Sequence, residues 1–358
     1  MMKKAIVILS VVIILTMITA TVVESIKGTP FVGEHIYGAW WFVALWAILA
    51  LVGCAYIIKC KLYKHGAAIL LHASFVIILI GALTTHLTQK KGMVHLRQDI
   101  PESMAVQEDG RTILLNFNLR LDSFYVSYEE GKDIPEDYTS IVTLLPSGEQ
   151  HTISMNNILK VGKLRFYQAD YDSDMQGSVL ILNRDPWGIP ITYTGYCLLA
   201  LSFILIFIRK SNLRIMFCSL LLACIIAFLF SQKEYNIPVL NTWLLPVHVS
   251  FIITSYILLF FAIWQRRLLA IAVGFLAIGI FIGAYWANIS WGTYWSWDSK
   301  EVWALITLLI SAAPLHTTSL KLLNSKKAYR LYMIITLLAV LMTYFGVNYF
   351  LPGMHSYA

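Results

Sequence analysis

Nine runs of apolar residues, each close to the length that crosses a lipid bilayer, constrain this chain more than any other feature. They fall at about 5–23, 39–58, 66–87, 191–208, 215–230, 247–264, 268–286, 301–318 and 331–350. A helix rises 1.5 Å per residue, so about 20 apolar residues cover the roughly 30 Å of bilayer hydrocarbon. Backbone polar groups cannot stay unpaired there, which makes the helix the form such runs must take. The run at 215–230 is the shortest. Only 13% of residues are charged, about half the share in a soluble domain. The expected fold is therefore a polytopic α-helical membrane protein with about nine transmembrane helices. Lys3 and Lys4 precede the first run, as they would in a signal peptide, but its apolar core of about 19 residues predicts a retained helix.

Basic residues set the orientation. With the N-terminus in the cytoplasm, fourteen Lys and Arg, among them Lys59, Lys61, Arg266, Arg267 and Lys327, lie on the inner side, against Lys27, Lys233 and Lys300 in the short outer loops. The net charge of +7 is mostly this bias. It points to the lipid bilayer as partner and gives no ground for a nucleic-acid partner.

Residues 88–190 are a different material, with fifteen acids and ten bases. In Asn116-Phe-Asn-Leu-Arg-Leu-Asp122 apolar and polar side chains alternate, the period of a half-buried strand. Segments 140–145 and 150–155 flank Pro-Ser-Gly-Glu and predict a hairpin. Further strands are expected at 163–170 and 177–183. This stretch is expected to form one small β-rich extracytoplasmic domain, tethered by the third and fourth helices and able to hold one modest core.

Between two late apolar runs lies Ser290-Trp-Gly-Thr-Tyr-Trp-Ser-Trp-Asp-Ser-Lys-Glu-Val-Trp-Ala304. Five tryptophans fall from Trp286 to Trp303. One or two would make an interfacial aromatic belt; five around one short loop exceed what anchoring needs. An exposed indole shelf of this kind suits a flat, polycyclic ligand such as a porphyrin. The stretch from Trp291 to Trp303 resembles the tryptophan-rich "WWD" signature of haem-handling membrane proteins in cytochrome c maturation. Ser299 stands where that signature usually has Pro.

The first part of the chain also resembles the ResB (CcsB) half of the system II cytochrome c synthase, carried less specifically by His65-Gly-Ala-Ala-Ile-Leu-Leu-His72-Ala-Ser-Phe-Val-Ile-Ile-Leu-Ile-Gly81. The remainder, from about 215, resembles the CcsA half. The resemblance implies a compact fusion, with residues 1–210 as the ResB-like half and 211–358 as the haem-handling half. It further implies a multi-pass protein of the bacterial cytoplasmic (inner) membrane, with the Trp-rich loop and β-rich domain outside. The outer domain is short for that family.

A histidine within a span is a functional hypothesis, because burying it unpaired is costly. His72 lies about 9 Å inside the third run, and His316 near the cytoplasmic end of the eighth. At comparable depth the two can face one another across an iron. The resemblance assigns them to the family's transmembrane pair. It assigns His248, at the start of the sixth run, and His355, after the ninth, to an outer pair flanking the Trp motif. Haem iron takes imidazole as an axial ligand, so His72, His248, His316 and His355 are the expected ligands. His35, His65, His86, His95 and His151 are read as loop or interface residues, with His86 as the substitute for His72.

Trp291, Trp295, Trp297 and Asp298 form the expected catalytic set. Asp298 has two readings, as a helix N-cap or as a group that orients an axial His or a partner's Cys-x-x-Cys-His. Glu301 is read as capping, and Lys300 as a possible partner of a haem propionate. The implied function is movement of haem b outward and its covalent attachment to Cys-x-x-Cys-His of an apocytochrome c. The five cysteines, Cys54, Cys60, Cys197, Cys218 and Cys224, include no Cys-x-x-Cys, so a separate thiol reductant is an expected partner. The rival readings are a haem exporter or chaperone without covalent chemistry, a b-type electron carrier and a structural assembly subunit.

Overall fold

A computed structural model of the chain describes residues 2–61, 64, 66–128, 135–209, 213–233, 240–316 and 319–351. Helices occur at all nine apolar runs: α1 Met2–Lys27, α2 Trp40–Lys59, α3 Gly66–Thr88, α4 Gly188–Arg209, α5 Leu213–Ser231, α6 Leu244–Ala262, α7 Leu269–Ser290, α8 Ser299–Ala312 and α9 Lys326–Leu341. A wide turn, Met342–Gly346, carries α9 on to Phe350. Eight of these are long and apolar enough to cross a membrane. The exception is α8. It has 14 residues, about 21 Å of helix, against the span expected over 301–318. A 3₁₀ turn at Ala313–Leu315 follows it and contains Pro314, which has no N–H to extend the α-helical ladder. His316 therefore sits just beyond the helix.

The bundle is organised around α7, whose buried face packs on Phe203 and Phe207 of α4, Leu258 and Leu259 of α6 and Met333 of α9. Large apolar side chains on α1, α2 and α5, such as Leu15, Leu51 and Phe228, point away from protein. Those faces suit contact with lipid. Helices α3 and α4 run closely together; a Cβ on Gly81 would lie 2.9 Å from the Cα of Thr192.

Between α3 and α4 the chain forms β1 Lys90–Arg97, β2 Pro101–Val106, β3 Thr112–Tyr128, β4 Pro135–Leu145, β5 Glu149–Ile153, β6 Leu159–Val161, β7 Leu164–Tyr171 and β8 Gly177–Arg184. All pair antiparallel in the order β5-β4-β3-β2-β1-β8-β7-β6. The alternation read at 116–122 lies in β3, and the expected hairpin is the β4–β5 pair. One core gathers Leu96, Leu121, Val142, Phe166 and Leu182 from strands far apart in that order. The sheet must therefore curl on itself, and Ser140 of β4 indeed bonds Gln168 of β7 and Ser178 of β8 at 2.7 Å each. Asp185 joins sheet to bundle, accepting Gly188 N–H at 2.8 Å where α4 starts and the Thr85 hydroxyl of α3 at 2.6 Å.

Candidate functional site

The Trp-rich loop runs from the end of α7 to the start of α8 and rests on opposed local devices. Gly292 has φ +79°, and a Cβ there would come within 2.7 Å of the Tyr167 ring, so both conformation and space require glycine. Trp297 adopts φ +61°, which costs an L-residue about 1–2 kcal/mol. Glu301 offsets that cost: its Oε2 accepts the Ser296 and Trp297 N–H groups at 2.7 and 2.9 Å. Asp298 is fully buried and caps α8, its Oδ1 accepting Glu301 N–H at 2.8 Å. Asp298 and Glu301 together form a reciprocal arrangement close to a capping box. Lys300 Nζ donates to Asn348 Oδ1 at 3.2 Å.

The indole rings do not form an exposed shelf, contrary to the sequence reading. Trp297 stacks on Tyr37, with centroids 4.6 Å apart and planes 14° apart. Trp295 meets Trp297 edge-on at 5.8 Å. Trp291 meets Trp286 edge-on at 5.4 Å, and Trp303 Nε1 donates to Thr21 Oγ1 at 3.2 Å. Trp286 is buried among Leu240, Leu244 and Leu245. Burial of the flat ring faces, each worth a large apolar area, explains the difference. The Trp295 indole N–H is buried and has no hydrogen-bond partner among the described residues.

The β-rich domain grips the first half of the loop. Asn183 Nδ2 donates to the Gly292 carbonyl. Lys91 Nζ donates to Thr293 Oγ1 at 2.6 Å, and Ser290 Oγ donates to Asn156 Oδ1. Tyr294 OH donates to Thr85 Oγ1 at 2.8 Å, which links the loop to α3 and, through Thr85, to Asp185. None of these anchors was singled out in the sequence, because no local pattern pairs residues 109 to 209 positions apart.

At the other end of α3, His72 and His316 come together. Their ring centroids are 6.1 Å apart and the planes cross at 87°. His72 Nδ1 lies 2.7 Å from the Ala68 carbonyl and His316 Nδ1 3.2 Å from that of Ala312. A carbonyl can only accept, so Nδ1 carries a proton in each ring, and in the neutral ring Nε2 keeps its lone pair. Metal–imidazole bonds are about 2 Å, which puts the rings of two axial ligands about 6 Å apart. The donor set and its spacing fit a bis-imidazole iron site. His86 lies in the last turn of α3, about 21 Å from His72 along the helix, and does not replace it.

His248 in α6 shows the same chemistry: Nδ1 lies 2.7 Å from the Gly279 carbonyl, again leaving Nε2 as the free donor atom. Its ring lies against Gly283 of α7, where a Cβ would be 2.6 Å from His248 Cε1. Gly283 is about 12 Å below Trp291 along α7. His355 and His65 lie outside the described residues. His35, His95 and His151 are at the surface or on the sheet, His95 bonding Asp172 at 3.0 Å.

Residues 261–355 match the family described as Cytochrome C assembly protein, and residues 61–192 match the ResB-like family. Protein NrfI of Wolinella succinogenes is 47% identical over 93 residues, which is 25% of this chain and 10% of that protein. Cytochrome c biogenesis protein CcsA of Panax ginseng is 45% identical over 95 residues, 26% of this chain and 29% of that protein. The CcsA protein of Pelargonium hortorum is 44% identical over 103 residues, 29% of this chain and 32% of that protein. The matched stretch thus spans about a third or less of these relatives. A ResB-like segment and a Cytochrome C assembly segment in one polypeptide fit the fused system II family.

Proposed function

We propose that this chain is a cytochrome c biogenesis protein that takes haem b at an inner site, moves it outward and presents it at the Trp-rich loop for attachment to an apocytochrome c. The observation that carries the reading is the His72–His316 pair, with centroids 6.1 Å apart and both Nδ1 atoms committed to backbone carbonyls. His72 is half-buried and His316 exposed, and neither Nε2 is taken by a backbone partner among the described residues. Two such imidazoles are what an iron porphyrin needs on its two faces.

His72 and His316 hold the inner haem in this account. His248 and His355 flank the outer station, and Trp291, Trp295, Trp297 and Asp298 shape the surface beside it. The halves divide at about residue 210. The orientation follows the basic residues, N-terminus in the cytoplasm and loop outside, in the bacterial inner membrane.

The chemistry at the outer station is addition of a thiol across each of two vinyl groups. A C–S bond forms at one vinyl carbon, the thiol proton ends on the other, and no net electrons move. The chain supplies position: it holds the acceptor beside the two thiols of Cys-x-x-Cys-His, which raises their effective concentration. Those thiols must arrive reduced. All five cysteines of the chain are described and unpaired in disulfides, and none forms a Cys-x-x-Cys, so a separate thiol reductant completes the scheme.

The test is purification in detergent with a visible spectrum, plus a covalent-haem stain on a co-expressed apocytochrome. A low-spin bis-imidazole spectrum and covalent haem on Cys-x-x-Cys-His, but not on a Ser-x-x-Ser-His version, are expected. Bound haem with no covalent product would leave a transporter or chaperone. Absence of bound haem would reject the reading altogether.

A further inference from the structure

The second half of the Trp-rich motif is seated on the N-terminal part of the chain, which lies outside both family matches. Trp297 sits between Tyr37, stacked at 4.6 Å, and Phe42, edge-on at 5.6 Å. At the foot of this slot is Glu24 of α1, only 2% exposed. Its Oε2 accepts from Ser299 Oγ at 2.7 Å, two residues after Trp297. Its Oε1 accepts from Thr29 Oγ1, also at 2.7 Å. Thr29 opens the short helical segment that ends in Tyr37. One carboxylate therefore holds a side-chain hydroxyl from each of the two segments that carry Trp297 and Tyr37. A carboxylate accepts only, which matches two hydroxyl donors, and a buried acid persists where such bonds are made.

We propose that Glu24 is a positioning residue of the Trp-rich loop: shared between Ser299 and Thr29, its carboxylate fixes how Trp297 is presented to haem. The contact belongs to this chain's own sequence, since Ser299 supplies the hydroxyl at the position where the signature usually has a proline without one. The functional half of the inference rests on the haem-handling reading above; the structural half does not.

The experiment is a double-mutant cycle with Glu24→Ala and Ser299→Ala, read in two ways. Backbone amide hydrogen exchange over residues 296–301 needs no haem and reports the loop directly. Covalent haem on a co-expressed Cys-x-x-Cys-His apocytochrome, per membrane-inserted protein, reports function. Each single variant is expected to speed exchange and lower covalent haem, Ser299→Ala about tenfold through one lost hydrogen bond to the carboxylate and Glu24→Ala at least as much, since it loses the bonds from both Ser299 and Thr29. The double variant is expected to be no worse than Glu24→Ala, because that variant already removes the one contact that Ser299→Ala removes. Glu24→Gln, which keeps one acceptor oxygen, should fall between wild type and Glu24→Ala. The visible spectrum of haem at His72 and His316 should not move, which excludes general misfolding. Unchanged exchange in Glu24→Ala, strictly additive losses in the double variant, or faster exchange with undiminished covalent haem would each overturn the proposal. Wild-type protein that attaches no haem would instead overturn the functional reading, while the exchange cycle would still decide the positioning role.

Discussion

Gly283→Ala tests the outer ligand without touching a histidine. The added Cβ would lie 2.6 Å from His248 Cε1 and 2.7 Å from its Nδ1. Non-bonded carbon contacts settle at about 3.5 Å or more, so the ring or helix α7 must give by about 0.9 Å. An alanine methyl has no rotamer to absorb that, and the His248 Nδ1 bond to the Gly279 carbonyl, one turn earlier on α7, holds the ring against that helix at 2.7 Å. Overpacking of this size costs about 1–3 kcal/mol, which a bundle of this size should survive. Ligation should not survive it. Metal–ligand distances tolerate only about 0.2 Å, so a displacement of about 0.9 Å is several times too large for an axial bond.

The expected phenotype is therefore selective. Membrane insertion and haem at the inner pair remain near wild type, while covalent haem on the apocytochrome falls about a hundredfold, as for a misplacement near 1 Å. Small imidazole added to the medium should restore part of the activity by occupying the vacated axial position. Gly279→Ala is a weaker control, since its Cβ meets the flexible Cδ1 of Ile252 at 2.8 Å and not the histidine. Wild-type attachment by Gly283→Ala would refute the assignment of His248, because no ligand held that tightly could tolerate the added methyl.

Three further outcomes follow from the geometry. The His72→Ala, His316→Ala double variant should purify with little haem, read from the visible spectrum, and normal loading would show the pair to be structural. Trp297→Ala and Asp298→Ala should lower covalent haem well below Trp243→Ala, a ring 73% exposed at the start of α6; loss of the cap alone costs about 1 kcal/mol, and equal losses at all three positions would make the loop a structural belt. Asn183→Ala removes the donor to the Gly292 carbonyl and should cost about 1–3 kcal/mol, seen as a lower thermal midpoint together with reduced attachment; an unchanged midpoint would show that the β-rich domain does not hold the loop.

Periodicity and length exposed most of the bundle, because a lipid-facing helix must advertise itself in composition. The run at 301–318 misled for a local reason: it is apolar enough to span, but Pro314 ends the helix early. The β4–β5 hairpin was legible in its turn residues, whereas β1 and β2 were not, since neither has a clean alternation bounded by turn signals. The His72–His316 pairing was legible as matched depth. The packing of the Trp rings was not, because their neighbours Tyr37, Phe42 and Thr21 lie some 250–280 residues away and leave no pattern near the motif. Glu24 did leave a signal, an acid within the first apolar helix, where an ionisable group is costly without partners.

The placement of both stations on shared helices carries a physical consequence for the proposed route. Helix α3 bears His72 near one end and Thr85, the anchor of Tyr294, near the other. Thirteen residues of helix separate them, about 20 Å, and a hydrogen-bonded helix cannot shorten to close that gap. Helix α7 likewise fixes Gly283, and with it His248, relative to the start of the Trp-rich loop. The stations therefore keep their spacing while cargo passes between them. Movement must come from the ligand or from segments that are not part of these rods. Two such pieces border the Trp-rich motif directly. One is α8, a 14-residue helix bounded by the loop on one side and the Pro314 turn on the other, with Asp298 at its head and His316 just past its foot. The other is the wide turn at Met342–Gly346, whose Thr343 hydroxyl bonds the Trp303 carbonyl at 3.2 Å and meets the Thr307 hydroxyl at 2.9 Å. A small shift of α8 against that turn would move the loop and His316 together. On this architecture the rigid helices α3 and α7 act as the frame, and α8 is the element that joins the Trp-rich loop at Asp298 to His316.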